Sequence, residues 1–504
     1  MAIGQNSILR GSVIRAKEEL LTDDFAKRLG YVFALWTAQK TGIPADRLTV
    51  AVGRDPRPSG KRLLKAFASG VTSADSDVYD CGLATTPAMQ LSMAEDGLNA
   101  QAAAMVTASA SDWDSNGFKL FGPDGALSAE DMQSLVEKAL QVKVPLRLVK
   151  PVDLMEIYRQ RLSGQVKDFM GDDDPLPLKG LRVIVDASNG SAGFYADFLS
   201  SLGADTTGSF STEPGEASKE VQNPENSAAL SELSSRVLKN GADIGVMLDV
   251  DGDRVAIVDE NGRVINRNRL IALIAAILLE DEKGLTIVTD SVTSSGLSRF
   301  ISEWGGTHYR FRRGHKNVIE EARRLTEEGI NVPVAIETSG HAAMKENYFI
   351  DDGVYLATKV ICEAMWRKRD RLSLSSLIDE LQEPVESLEV RLPIIQEDYR
   401  KAAGYVIEAV LSQTLTNPEW RLAPDNREGV RILFSLNGGV DNAWFMLRLS
   451  VHDPVLAINA ESETKGGLMY IIRQLYEVLE KDNEELELSP LREKIEEFNN
   501  LEQE

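Results

Sequence analysis

Ala242-Asp-Ile-Gly-Val-Met-Leu248, followed at once by Asp249-Val250-Asp251-Gly252-Asp253-Arg254, is the stretch that sets the class of this chain. A short apolar run that stops at a polar, Gly-containing loop reads as a buried strand rather than a helix. The same punctuation recurs on both sides of it. Leu48-Thr-Val-Ala-Val52 runs into Gly53-Arg54-Asp55-Pro56, with helical spacing from Gly60 to Ser73. Leu181-Arg-Val-Ile-Val185 runs into Asp186-Ala-Ser-Asn-Gly190, ahead of a helical Tyr195–Leu202. Leu285-Thr-Ile-Val-Thr289 stops at Asp290, and a helix is expected beyond it. This repetition predicts α/β layers with largely parallel sheets, and it gathers polar residues after strands, where such folds place ligands.

The last part of the chain reads differently. Val430-Arg-Ile-Leu-Phe434 and Trp444-Phe-Met-Leu-Arg448 are strand candidates ahead of a helical C-terminus, an α+β pattern. The Glu-rich tail from Glu477 to Glu504 reads as a solvated helix. Breaks are expected within Val142–Asp153, within Asp172–Pro177 and near Glu383-Pro384. At roughly 150 residues per domain, 504 residues suggest three or four domains.

Composition excludes several classes. With 55 Lys and Arg against 78 Asp and Glu, the net charge is −23, which repels a phosphate backbone and argues against nucleic acid as a partner. The apolar run Leu270–Leu279 is cut off by Glu280-Asp281-Glu282 and is too short to span a membrane, so no membrane partner is expected. Met1–Arg10 lacks the basic start and apolar run of a secretory signal, and Cys81 and Cys362 lack metal-ligand or redox spacing. A cytoplasmic protein with two buried thiols is the expectation. The sequence carries no signature of oligomeric state.

Four segments can carry chemistry. In the acidic loop, Asp249, Asp251 and Asp253 alternate, and Gly252 permits the bend that would converge them on one hard cation such as Mg²⁺. The alternative is an acidic surface turn. Met105-Val-Thr-Ala-Ser109 delivers a serine into a polar loop that returns at Asn116-Gly117-Phe-Lys119; Ser109 could be a nucleophile or phosphate carrier, or part of an ordinary loop. Glu337-Thr-Ser339-Gly-His341, with Lys345 and Asp351-Asp352 after it, offers an acceptor, a hydroxyl and an imidazole to a polyol, or else a helix-entry loop. Just upstream, Arg310-Phe-Arg312-Arg313-Gly-His315-Lys316 is a solvated basic strip or an anion-binding loop. Arg448-Leu-Ser450-Val-His452 could hold a phosphate, or form a turn.

Taken together and in this order, the segments resemble the α-D-phosphohexomutase superfamily, from Asn6 to about Glu463. The resemblance implies three related mixed α/β domains plus a smaller C-terminal α+β domain around a central cleft. The boundaries expected are 1–147 for a phosphoserine domain, 148–264 for a metal-binding domain, 265–384 for a sugar-binding domain and 385–504 for a phosphate-binding domain. It implies reversible transfer of phosphate between C1 and C6 of glucose or mannose phosphate, through a phosphoserine and a hexose 1,6-bisphosphate that also serves as activator. By the same resemblance, Ser109 is the phosphoserine and a ligand of one Mg²⁺ together with Asp249, Asp251 and Asp253. Lys119 assists proton transfer, and Arg10-Gly11 matches the Arg-Gly near the N-terminus, which places Arg10 among the catalytic residues. Arg254, His315, Glu337, Ser339, His341 and Lys345 fall to substrate binding, with Arg448, Ser450 and His452 on the distal phosphate.

The chain also departs from the family pattern. Ala110 stands where the family has a His beside the phosphoserine, and Ser111-Asp112 stand for Asn-Pro. Val250 and Ile336 replace glycines. His452-Asp453 replaces Thr-Glu, and the phosphate loop has no second Arg, with Ala457 and Asn459 in that region. A glucose-1,6-bisphosphate synthase and a catalytically weakened phosphosugar-binding paralogue are the alternatives these changes leave open.

Overall fold

The structure, a computed structural model, describes residues 8–144, 150–171, 173–215, 224–450, 453–481 and 485–501. His452 and the expected 147/148 boundary therefore lie outside the described residues. The chain divides into two compact units, one of residues 1–266 and 339–377, the other of residues 267–338 and 378–504.

In the first unit, Ala102–Val106 and Val50–Val52 are buried along their length, as strands covered on both faces must be. Thr49–Arg54 runs parallel to Ala102–Val106 on one side and to Asp77–Leu83 on the other. Ser115–Gly122 and Val13–Lys17 extend this sheet antiparallel. The helices Asp23–Thr41 and Gly60–Ser73 cover one face, and Phe25, Leu29, Phe33, Leu63, Phe67 and Val71 enter the core. Their backbones meet where both lack side chains: a Cβ on Gly70 would lie 1.8 Å from the Lys27 carbonyl, and one on Gly30 2.1 Å from that of Phe67. This explains two glycines inside helices, where the residue otherwise costs stability.

A second sheet in the same unit pairs Val183–Asp186 parallel to Ile244–Leu248. Leu248 is not followed by a crossover helix; the chain turns back directly, and Val255–Asp259 pairs antiparallel with the strand it left. The acidic loop is thus the turn of a hairpin. Antiparallel members in both sheets make them mixed rather than largely parallel. The unit closes with the hairpin Ala342–Met344/Ile350–Asp351 and the buried helix Gly353–Arg369, capped by Asp352.

In the second unit, Thr286–Thr289 lies between Thr307–Arg310 and Val334–Ile336, all parallel, with the helices Ser295–Glu303 and His315–Glu327 after the first two. The C-terminal sheet is wholly antiparallel: Glu386–Pro393, Val455–Ser462, Ala443–Leu449, Val430–Phe434 and Arg421–Leu422 in that order. The tail departs from expectation. The helices Gly467–Lys481 and Ser489–Leu501 send Leu475, Leu479 and Leu491 into this core, so the glutamates mark the outer face of packed helices.

Candidate functional site

The hairpin geometry organises the acidic loop. Because Leu248 pairs with Val255, the six residues between them must turn within one strand spacing, and Gly252 does so at φ +77°. Asp249 turns its carboxylate inward, where Oδ1 accepts the backbone N–H groups of Gly252 and Arg254, each at 3.1 Å, and Oδ2 accepts Arg254 Nε at 2.8 Å. Asp251 Oδ2 takes Lys119 Nζ at 2.8 Å and the Thr86 hydroxyl at 2.7 Å. Asp253 Oδ2 takes the same Nζ at 2.6 Å. One oxygen from each of Asp249, Asp251 and Asp253 lies within 4.8 Å of the others.

Three buried carboxylates so close together repel one another, and the protein answers with cations. Burial and the neighbouring Asp253 and Asp251 raise the Asp249 carboxyl, against the pull of Arg254. Burial also works against the Asp253 charge, but Lys119, His341 and Arg254 outweigh it and hold that carboxyl well below the usual carboxylate range. Lys119 is likewise opposed by burial, yet Asp251 and Asp253 raise it above its ordinary value. Oδ1 of Asp251 and Oδ1 of Asp253 are buried without a hydrogen-bond partner among the described residues. Buried carboxylate oxygens left in this state are costly unless a cation completes them. An all-oxygen donor set with two such atoms fits a hard divalent cation.

Ser109 reaches the same centre. The strand Ala102–Val106 ends, Thr107 Oγ1 accepts the Ser109 N–H at 2.8 Å, and Ser109 takes a left-handed φ of +53°. Its hydroxyl stands 3.4 Å from Arg254 Nη2. Strain of this kind in a non-glycine residue belongs to sites where the surroundings over-determine the backbone. His341 joins from the other side: its Nδ1 is 2.8 Å from Asp351 Oδ2 and 3.7 Å from Asp253 Oδ1. Burial, with Arg254 and Lys119 nearby, pushes this imidazole down to about 4, so it is neutral at pH 7.

In the second unit a different polar chain forms. Glu337 Oε1 accepts the Gly314 N–H at 2.6 Å, one residue before His315 opens its helix. Arg313, next in line, gives its N–H to Glu428 at 3.0 Å, and Glu428 also takes the Ser291 hydroxyl at 2.5 Å. Gly429 follows Glu428 and backs onto Arg448, whose Cα would lie 3.0 Å from a Cβ added there. Arg448 is 4% exposed, and its Nε has no hydrogen-bond partner among the described residues. Burial and the Arg313 charge both lower its affinity for its proton. Arg313 Nε stands 3.9 Å from Asp290, and the charges of Glu428 and Asp290 partly offset the pressure on Arg448; two guanidinium groups near enough to act on one another suit a doubly charged anion.

Residues 5–144, 166–262 and 266–385 match the models of the phosphoglucomutase/phosphomannomutase alpha/beta/alpha domains I, II and III, respectively. The chain belongs to this family. A phosphoglucosamine mutase of Rhizobium meliloti is 30% identical over 468 residues, covering 91% of this chain and 94% of that protein. A phosphomannomutase/phosphoglucomutase of Pseudomonas syringae is 28% identical, covering 90% and 92%. The crystal structure of a phosphoglucomutase/phosphomannomutase family protein from Burkholderia thailandensis superposes with a TM-score of 0.77 at 25% identity, covering 96% of this chain and 99% of that one. As a family member the chain is a phosphohexomutase, an isomerase of the mutase class.

Within this phosphohexomutase the first unit brings together Ser109, Lys119, Asp249, Asp251, Asp253, Arg254 and His341. The second unit links His315, Glu337 and Arg448 through Gly314, Arg313 and Glu428. Ser450 accepts a long 3.4 Å contact from Arg391, and Ser339 is half-buried at the start of the 339–377 segment. Lys345 sits exposed in a 3₁₀ turn. Arg10, expected among the catalytic residues with the carboxylates, lies exposed on a two-residue edge strand and donates to the Leu9 carbonyl. Arg15, on the next strand, faces them instead, with Asp251 and Asp253 acting on its charge and burial lowering its pKa. Its position opposite Gly117 was the sequence signal that could have found it, once strand pairing was known. Thr86 carried no local signal, whereas Asp351 stood out only as half of the acidic pair that follows Lys345. Two family departures also meet: Ala110 and Val250 pack with Trp113 in one small apolar cluster between the serine loop and the acidic loop.

Proposed function

We propose that this phosphohexomutase interconverts the 1- and 6-phosphates of glucose or mannose through a phosphorylated Ser109 and a hexose 1,6-bisphosphate. One observation carries the reading: the Ser109 hydroxyl stands 3.4 Å from Arg254, whose other edge grips Asp249 of the acidic cluster. Asp249, Asp251, Asp253 and the Ser109 phosphate would hold Mg²⁺, which when bound neutralises charge on the transferring phosphoryl group. Arg254 orients the Ser109 oxygen. Lys119 keeps its proton beside the carboxylates and can pass it to a sugar oxygen as that oxygen leaves phosphorus. Arg15 takes the role that the resemblance gave to Arg10. Glu337, Ser339, His315 and His341 address sugar hydroxyls, and Arg448 with Arg313 binds the distal phosphate. Arg313 supplies the second guanidinium that the phosphate loop lacks.

The four-domain division at 147, 264 and 384 goes with this reading. So does a cytoplasmic location, supported by two buried thiols and by the lack, among the described residues, of any helix long and apolar enough to cross a membrane. The test is a substrate panel: glucose, mannose and glucosamine 1-phosphates, each with Mg²⁺ and catalytic hexose 1,6-bisphosphate, and Ser109→Ala as control. Interconversion of the glucose and mannose phosphates, lost in the control, is expected. Turnover of glucosamine phosphate alone would overturn the sugar assignment. Ala110, in place of a His beside the serine, favours glucose-1,6-bisphosphate synthesis as the second reading; net bisphosphate formation from a bisphosphorylated donor without mutase turnover would establish it.

A further inference from the structure

Arg57, five residues beyond the strand core at Val52, belongs to none of the roles above, yet its guanidinium is fully engaged. The side chain is 1% exposed. A guanidinium carries five N–H donors in a fixed fork, and here every one finds an acceptor. Nε donates to Asp55 Oδ2 at 2.9 Å. Nη1 donates to the carbonyls of Asp112 at 2.5 Å and Ser115 at 3.0 Å. Nη2 donates to the carbonyls of Ser111 at 2.7 Å and of Ser109 itself.

Four carbonyls of one loop thus converge on one buried cation. Asp55 closes the circuit: its Oδ2 also takes the Thr107 hydroxyl at 2.7 Å, and Thr107 Oγ1 accepts the Ser109 N–H at 2.8 Å. Ser109 is therefore held at both its N–H and its C=O by groups that trace back to Arg57, and it is the residue at φ +53°. A serine does not stay left-handed unless something outside it fixes the peptide planes on either side. The Arg57 guanidinium also lies 5.4 Å from the ring of Trp113, which packs on Val250 between two of the acidic residues. Arg57 thus clamps the serine loop directly and backs onto the acidic loop only through Trp113.

We propose that Arg57 is a positioning residue for phosphoryl transfer, its fork fixing Ser109 in the left-handed conformation that turns the hydroxyl toward Arg254. This rests on the reading of Ser109 as the phosphoryl carrier. In the step it serves, the P–O bond to the sugar oxygen of a hexose 1,6-bisphosphate breaks and a P–Oγ bond to Ser109 forms. The Oγ proton ends on the freed sugar hydroxyl. What Arg57 contributes is geometry rather than charge alone, so lysine does not replace it.

The test compares full-length wild type, Arg57→Lys and Thr107→Val, all with Mg²⁺. Circular dichroism establishes folding, and Mn²⁺ titration by electron paramagnetic resonance reports the acidic loop. Glucose 1,6-bisphosphate is mixed rapidly with dephosphorylated protein, and intact mass follows Ser109 phosphorylation alongside steady-state kcat and KM. A misplacement of about 1 Å costs on the order of 100-fold in rate. The expected result is a folded Arg57→Lys variant with Mn²⁺ affinity and KM within about threefold of wild type, and both phosphorylation rate and kcat down about 100-fold. Thr107→Val, a milder loss in the same circuit, drops kcat about tenfold at unchanged KM. Arg57→Lys working within about threefold of wild type would overturn the proposal. So would loss that merely tracks unfolded protein while Thr107→Val keeps full kcat. A wild type that never acquires phosphate on Ser109 sinks the carrier reading itself, and the role of Arg57 with it.

Discussion

Replacing Lys119 by Met removes a cation from the most crowded charges in the protein. Its Nζ bridges Asp251 at 2.8 Å and Asp253 at 2.6 Å, with the lysine side chain 10% exposed and both carboxylates almost fully buried. Lys119 and Arg254 make the direct ion pairs with the three carboxylates; among the described residues the variant leaves Arg254 as the only direct cationic partner, with Arg15 acting from farther off. Removing one partner of a buried ion pair costs about 3–5 kcal/mol, because the remaining charge stays buried and uncompensated. In a unit of this size about 2 °C of melting temperature follows each kcal/mol, so the metal-free variant should melt about 6–10 °C below wild type. A divalent cation supplies the missing charge. At one hundred times its dissociation constant, Mg²⁺ stabilises by about 2.7 kcal/mol, and the variant, whose carboxylates are the more frustrated, should gain more than wild type. Differential scanning calorimetry with chelator and with Mg²⁺ measures both shifts. A metal-free variant within about 2 °C of wild type, or equal Mg²⁺ shifts in both proteins, refutes the reasoning that ammonium and cation answer the same carboxylates.

Three further outcomes follow from particular contacts. Asp352 is pushed up to about 6 by burial, although Tyr355 N–H, the Tyr158 hydroxyl and Asn347 bind its carboxylate. Its folded pKa exceeds the unfolded value near 3.9, so the native state holds the proton more tightly and stability falls as pH rises from about 4 to 6. Asp352→Asn should remove about 3 kcal/mol of that decline, seen as flatter denaturant midpoints across this window. Gly190→Ala would set a Cβ 2.4 Å from the Val250 carbonyl; overpacking of about 1–3 kcal/mol and weaker Mn²⁺ binding should result, and unchanged metal affinity would show that this neighbour does not shape the acidic loop. Arg448→Ala should raise KM for hexose phosphate about 10- to 100-fold, while the rate at which Ser109 accepts phosphate at saturating donor stays within a few fold. An unchanged KM would remove Arg448 from the phosphate grip.

Much of the site was legible because its signals are local. Asp249, Asp251 and Asp253 stand two apart around a glycine, and Ser109 and Lys119 bracket a single loop, so spacing singled them out as candidates and the family resemblance gave them roles. Arg57 was visible only as part of a strand–loop element, because apart from Asp55 its partners lie 52 to 58 residues away and are backbone carbonyls, which carry no residue signature. Thr86 binds a carboxylate 165 residues distant. Arg10 was chosen on a dipeptide match, whereas the pairing of Val13–Lys17 with Ser115–Gly122 puts Arg15 opposite Gly117 and toward the carboxylates. The tail misled for a related reason: its glutamates are frequent, but Leu475, Leu479 and Leu491 supply the apolar face that packs.

By itself the sequence determined the layered α/β character, the α+β end and the identity of the chemistry-bearing loops, because alternating apolar runs and glycine-bounded turns act over a few residues. Only the tertiary structure decided that the acidic loop is a hairpin turn, so that Arg254 folds back onto Asp249 and reaches Ser109. It alone set the charge balance of three carboxylates against Lys119 and Arg254. Those energies depend on burial and on distances of a few ångströms between distant segments, and neither quantity is written in residue order.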